Sequence, residues 1–331
     1  MTELEREQAR QAFLASSEWA DSQITALQPD ASFRQYFRLK IGDFSAMLMD
    51  APPERENVAA FLSVTRHLQQ LGIRVPRILA EDEASGFAII EDLGDQTFTR
   101  LLADGGNEQA MYEQAVDTLV AIADHPDATR INLPSYDCDF MLGEVRLFVD
   151  WYLPAREGTD PDTSMINDYL ACWSEIMRNL PDLPPTLVLR DYHVDNLMMV
   201  DGGCALLDYQ DALLGSPAYD LVSLLEDARR DIPESLQQRM LERYFASRPG
   251  IDQKPFIQHY VAWGMQRHLK VAGIFTRLWL RDGKPHYLGH LDRVMKLLDR
   301  NVHNPVVAPF YQWLNDYEVS LRHTDFTHKD T

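Results

Sequence analysis

The chain has 331 residues and a mass of 38.0 kDa, with 45% hydrophobic and 25% charged side chains. That is enough to bury a sizeable core, as two domains or as one large domain with two lobes. An excess of 51 acidic over 31 basic residues gives a formal charge of −20 and a pI near 4.8, which argues against non-specific nucleic-acid binding and against docking on an anionic membrane. Apolar runs such as Phe87–Ile90 and Ala205–Leu207 fall far short of the roughly 20 residues of a bilayer helix, and the polar start Thr2-Glu3-Leu4-Glu5 is no secretory signal. The cysteines, Cys138, Cys172 and Cys204, are widely spaced with no C-x-x-C pair. They suit reduced thiols in a cytoplasmic protein.

In chain order, residues 3–16 read as a helix. From Ser32 to Asp50 alternating apolar residues around Gly42-Asp43 predict a β-hairpin, ended by Pro52-Pro53. Val58, Phe61, Leu62, Thr65 and Leu68 then fall on one helical face that ends near Gly72. Arg77–Ala80 and Phe87–Ile90 read as short strands. After Glu91-Asp92-Leu93-Gly94-Asp95 helical periodicity dominates, interrupted by strands Leu197–Val200 and Ala205–Leu207 with a hairpin signal at Asp201-Gly202-Gly203. The expected architecture is α+β and bilobal: a small β-rich lobe over 1–91, a hinge near 91–95 and a mostly helical lobe over 92–331.

Chemistry concentrates in one stretch. A buried apolar strand, Leu187-Val188-Leu189, runs into a loop with Asp191, His193, Asp195 and Asn196, and the following hairpin returns to Asp208. Carboxylates this dense beside apolar strands need protons or a cation to compensate them. One reading is phosphoryl transfer, with Asp191 ordering an acceptor hydroxyl while Asn196 and Asp208 hold Mg²⁺ on nucleotide phosphates. A second takes Asp191-x-His193-x-Asp195 as a metallohydrolase cluster, although the other nine histidines form no similar motif. A third is a polar loop that only ties two lobes together. Neither G-x-x-x-x-G-K-[ST] nor G-x-G-x-x-G is present.

The ordered set Arg190-Asp191 with Asn196, then Leu207-Asp208-Tyr209-Gln210-Asp211, then Ser216-Pro217-Ala218-Tyr219-Asp220-Leu221 resembles the aminoglycoside phosphotransferase/choline kinase superfamily, relatives of protein kinases. Within it, the stretches 31–38, 49–53, 189–197 and 219–229 resemble the bacterial N-acetylmuramate/N-acetylglucosamine anomeric kinases of cell-wall recycling. The resemblance implies a protein-kinase-like fold and ATP-dependent phosphorylation of an amino sugar to its α-1-phosphate. It further implies Asp191 as base or positioner, Asn196 and Asp208 as Mg²⁺ ligands, and the backbone of Glu91 to Leu93 against adenine. Ser32 to Phe37 would cover the phosphates, and Glu56, on the helix after Pro53, would be the ion-pairing acid of the small lobe. Aminoglycoside or choline kinases, and a nucleotide-binding pseudokinase, are the alternatives.

The sequence departs from that pattern in three places. Residue 189 is Leu where many relatives carry His, the loop from Pro29 to Leu39 has no glycine, and the strand Phe44–Met49 lacks the phosphate-contacting Lys. Arg34, Arg38 or Lys40 is expected to replace that Lys, with Arg34 favoured because a guanidinium grips phosphate. His193 and Asp211 are candidate acceptor contacts, as are Trp151, near Glu144 and Arg146, and Arg267, near Trp263 and Lys270. Arg267 or Lys270 would pair with an acceptor carboxylate. Asp195 is read as a cap or a solvated side chain. Arg190 and Asp220 are read as braces of the catalytic loop, with Ser216 as helix N-cap and Pro217 at the first helical position.

Overall fold

The computed structural model describes residues 2–27, 33–201, 203–321 and 326. In chain order the elements are α1 (Glu3–Ala15), β1 (Gln23–Ala26), β2 (Gln35–Ile41), β3 (Phe44–Asp50), α2 (Val58–Gln70), β4 (Ile78–Asp82) and β5 (Phe87–Glu91). Next come α3 (Phe98–Ala103), α4 (Glu108–Asp124), α5 (Cys138–Val145), α6 (Leu153–Glu157), α7 (Thr163–Asn179) and β6 (Thr186–Val188). The ribbon β7 (Leu197–Val200) and β8 (Gly203–Leu206) follows, then β9 (Leu213–Gly215), α8 (Ala218–Leu225), α9 (Glu234–Ser247), α10 (Gln253–Leu280), α11 (Leu291–Asn301) and α12 (Ala308–Asp316). No helix among the described residues is long and apolar enough to cross a membrane.

One compact unit comprises residues 1–121 and 194–212. Its antiparallel sheet has the order β1-β2-β3-β5-β4. Thr2 and Glu5 form a capping box that starts α1, and α1 packs Phe13 and Leu14 on a core of Phe37, Leu39, Leu48, Phe87 and Ile89. Arg6 and Arg10 of this helix hold the buried Asp50 at the end of β3, at 2.7 and 3.2 Å. Gly86 (φ +72°) admits no side chain, since a Cβ there would lie 2.1 Å from the Ala51 carbonyl oxygen. The ribbon belongs to this unit because Leu206 donates to the Arg74 carbonyl and Met199 to that of Gln96, each at 2.9 Å. Residues 92–121 and the ribbon thus fall in the same compact unit as the amino-terminal sheet, with Arg38 of β2 bonding Asp92 and Asp95.

The other unit comprises residues 122–193 and 213–331, with β6 paired to β9 and α5, α8 and α11 packed on the 28-residue α10. All eight residues of α8 are buried. Gly273 lets α10 touch the π-helical turn Phe148–Tyr152, where a Cβ would meet the Leu147 carbonyl oxygen at 2.3 Å. Helix α8 starts one residue later than expected. Pro217 takes the cap position, while Ser216 Oγ accepts from the Ala218 amide at 3.3 Å.

Candidate active site

In the first unit, the ribbon register Leu197↔Leu206 continues into a bond from the Leu207 amide to the Asn196 carbonyl at 2.9 Å. Asn196 and Asp208 therefore flank the same end of the ribbon and offer oxygen donors suited to a hard cation. Asp208 has φ +57°, a conformation Asp tolerates better than most residues. The neighbouring Tyr209 anchors it: its ring stacks on Phe61 with centroids 5.6 Å apart and its hydroxyl lies 3.0 Å from Thr65 Oγ1 of α2.

The Asp208 carboxylate, 41% exposed, accepts from Arg34 Nη2 and from Gln210 Nε2, each at 3.0 Å. Arg34 Nε lies 3.7 Å from Glu56 Oε2, and Glu56 Oε1 accepts the Phe33 amide at 3.0 Å. Burial works against the Arg34 charge, but Tyr36, Asp208 and Glu56 raise its pKa. Glu56 is not on a helix, as the sequence had suggested. It precedes Asn57, whose side chain caps α2 by accepting from the Ala60 amide at 3.1 Å.

The rival cations are engaged elsewhere or exposed. Arg38 binds Asp92 at 2.8 Å and Asp95 at 2.9 Å, and Lys40 is exposed on β2. The Glu91 side chain binds Arg74 at 2.8 Å and Arg77 at 3.3 Å, and the Glu91 amide donates to the Arg77 carbonyl at 2.8 Å. That N–H is therefore spent within the sheet edge. Leu93 is half-buried, and Asp211 is exposed beside Gln210, whose Nε2 donates to it at 3.3 Å. Asp195 accepts from the Thr99 hydroxyl. Ser32 lies outside the described residues.

In the second unit, burial would raise the Asp191 carboxyl, yet Lys270, Arg267, His193 and Arg190 outweigh it and hold the pKa below the ordinary value. The loop before it is fixed by Asp220, which accepts the amides of Leu189 and Arg190 at 2.6 and 2.9 Å. Burial pushes the Asp220 carboxyl up to about 7, against the pull of those amides and of Arg267. His193 is buried, and burial with Arg229 keeps its pKa below the usual imidazole value. Asp227, whose charge opposes that shift, is buried with Oδ1 accepting the Arg229 amide at 2.9 Å; among the described residues Oδ2 accepts no hydrogen bond. Trp151 is half-buried in the π-helical turn. Arg267, expected at an acceptor carboxylate, is buried and donates to the Arg190 carbonyl at 2.9 Å. Lys270 is likewise buried against Glu144 at 2.7 Å.

Sequence reasoning missed Glu144 as a buried hub, and it missed Asp227. The signal for the first was available: Arg267 and Lys270 stand three apart on one helix and so project from one face, where two cations require a carboxylate.

The phosphotransferase enzyme family matches residues 23–253. The chain is 38% identical to an N-acetylmuramate/N-acetylglucosamine kinase of Pseudomonas aeruginosa, over 85% of this chain and 84% of that protein. It is 33% identical to a protein of the same name from Caulobacter vibrioides, over 95% and 97%. Among solved structures, a choline/ethanolamine kinase family protein from Mesorhizobium loti shares the fold with a TM-score of 0.64 at 11% identity, covering 94% of this chain and 99% of that one.

Proposed function

Because the chain belongs to the phosphotransferase enzyme family, we propose that it transfers the γ-phosphoryl group of ATP to the anomeric hydroxyl of N-acetylmuramate or N-acetylglucosamine, giving the α-1-phosphate. The observation that carries phosphoryl transfer is Arg34 lying between Glu56 and Asp208, beside Asn196. Protein kinases likewise pair a small-lobe cation with an acid and place a metal-holding Asp at the nucleotide phosphates. Likeness to the two bacterial amino-sugar kinases supports the acceptor class.

In this reading Arg34 replaces the missing strand Lys and grips the phosphates, with Ser32 on the same loop and the backbone from Glu91 to Leu93 against adenine. Asn196 and Asp208 hold Mg²⁺, which neutralises phosphate charge when bound. Asp191 orders the acceptor hydroxyl and takes its proton. A carboxylate with a lowered pKa is a weak base, but a hemiacetal hydroxyl is more acidic than an ordinary alcohol. Most of the rate then comes from positioning and electrostatics. His193, Asp211, Trp151 and Asp227 are the acceptor-side groups, with Asp227 Oδ2 available to a sugar hydroxyl. Cys138, Cys172 and Cys204 form no disulfide, which suits a cytoplasmic enzyme.

ADP release from Mg-ATP, measured across amino sugars, aminoglycosides and choline, tests this. Turnover restricted to amino sugars is expected. Turnover only with cationic acceptors, or nucleotide binding without turnover, contradicts the proposal.

A further inference from the structure

Arg190 has φ +71°, and across it the Asp191 amide donates to the Leu189 carbonyl at 2.9 Å. An i→i+2 bond over a positive-φ residue is the strained form of the γ-turn, which an L side chain adopts only when its surroundings over-determine it. Here the amide, the carbonyl and the guanidinium Nη2 of Arg190 are each held by a different helix. Its amide donates to Asp220 Oδ1 of α8 at 2.9 Å. Its carbonyl accepts from Arg267 Nη1 of α10 at 2.9 Å. Its guanidinium Nη2 donates to Glu144 Oε1 of α5 at 2.6 Å.

Glu144 is itself fixed by Lys270 Nζ at 2.7 Å, by Gln266 Nε2 at 3.2 Å and by the Tyr136 hydroxyl. Glu144, Gln266, Arg267, Lys270 and Asp220 are all buried. Apolar replacements of such buried ion networks are often neutral or stabilising, so stability alone does not account for this one. What it does is reach the residue before Asp191 from three sides.

We propose that Arg267 and Glu144 are positioning residues for phosphoryl transfer, holding the carbonyl and side chain of Arg190 so that the γ-turn presents the Asp191 carboxylate to the acceptor hydroxyl. This rests on Asp191 being the acceptor-facing acid of the function proposed above. Wild-type turnover with an amino sugar tests that function by itself, and the variants test the positioning.

The full-length protein is compared as wild type, R267M, R267K, E144Q, R190G, R190G/R267M and R190G/E144Q, with kcat, KM, ADP affinity by calorimetry and thermal melting. R267M is expected to lower kcat by about 30- to 100-fold, the scale of a misplaced reacting group, with ADP affinity within about twofold. R267K recovers part of the loss. Glycine needs no help to hold a positive φ, so in the R190G background R267M costs less than about fivefold, a coupling that a merely structural role would not produce. A folded R267M with wild-type kcat, or an equal cost in both backgrounds, overturns the proposal.

Should R267M not fold, E144Q takes its place with the same expected relief in R190G, and an equal E144Q cost in both backgrounds is contrary. Crystal structures of R267M or E144Q read the turn directly: loss of the bond between the Asp191 amide and the Leu189 carbonyl is expected, and an unchanged turn is contrary. A wild type that phosphorylates no amino sugar refutes the proposed function, while those structures still decide whether the clamp makes the turn.

Discussion

In the first unit the charged groups around Asp208 lie at strand and ribbon ends and bond one another, whereas in the second Asp220 and Arg267 are buried on helices and bond the backbone of the loop before Asp191. Asp208 keeps 41% of its side chain exposed and shares Arg34 with Glu56. Ion pairs between side chains can exchange partners when a more highly charged group arrives, which is what a site that binds and releases nucleotide phosphate needs. Asp191 instead follows a turn whose amide, carbonyl and side chain are each tied to a separate helix. Such a group cannot drift, and pre-organisation is worth most where an acceptor must be aligned. The contrast implies that the two centres fail differently: the first in nucleotide affinity, the second in turnover.

The largest expected effect is at Asp191. D191N should lose about 10²- to 10⁴-fold in kcat, the range for a removed general base, while ADP affinity by calorimetry stays unchanged; near-normal turnover would remove its role. R34A should lower kcat/KM for ATP by about 10- to 100-fold, the loss of a charge-assisted phosphate contact, with R34K recovering part; unchanged ATP affinity and turnover would return the missing Lys to another residue. K270M should shift the acid limb of the rate profile. The Asp191 carboxyl is held low by Lys270 first among its neighbouring charges, so the wild type stays ionised down past the ordinary value of about 3.9. Without that ammonium the limb moves to higher pH, and a limb that does not move contradicts the electrostatics. The same lowering stabilises the fold above the unfolded-state pKa, a contribution lost as pH falls through the folded one. The smallest effect is expected for R38A. Its guanidinium already serves Asp92 and Asp95, so KM for ATP should change less than about threefold, in line with a partly exposed ion pair.

Helix α2 and the hairpin β2–β3 were legible because apolar spacing and a Gly-Asp turn are local signals, and the Asp-Gly-Gly ribbon likewise. Strand β1 was not legible: all four of its side chains are exposed, so no buried face leaves an alternation to read. The family resemblance placed Glu56 on the helix after Pro53, whereas Asn57 supplies the cap and the helix begins at Val58. Asp191, Asn196 and Asp208 stood out through residue type and order. The Arg190 turn carries no local signature, since an arginine at positive φ is imposed by partners 30, 46 and 77 positions away. For the same reason the bond from the buried Arg267 to the loop was not legible, since its partner lies 77 positions away.

Phosphorus NMR of the product formed from Mg-ATP and N-acetylmuramate tests the central claim most directly, because it locates the transferred group. A new resonance coupled to the anomeric proton, absent with D191N, is the expected result. Phosphate on any other hydroxyl, or ATP left intact both with N-acetylmuramate and with N-acetylglucosamine in its place, would contradict it.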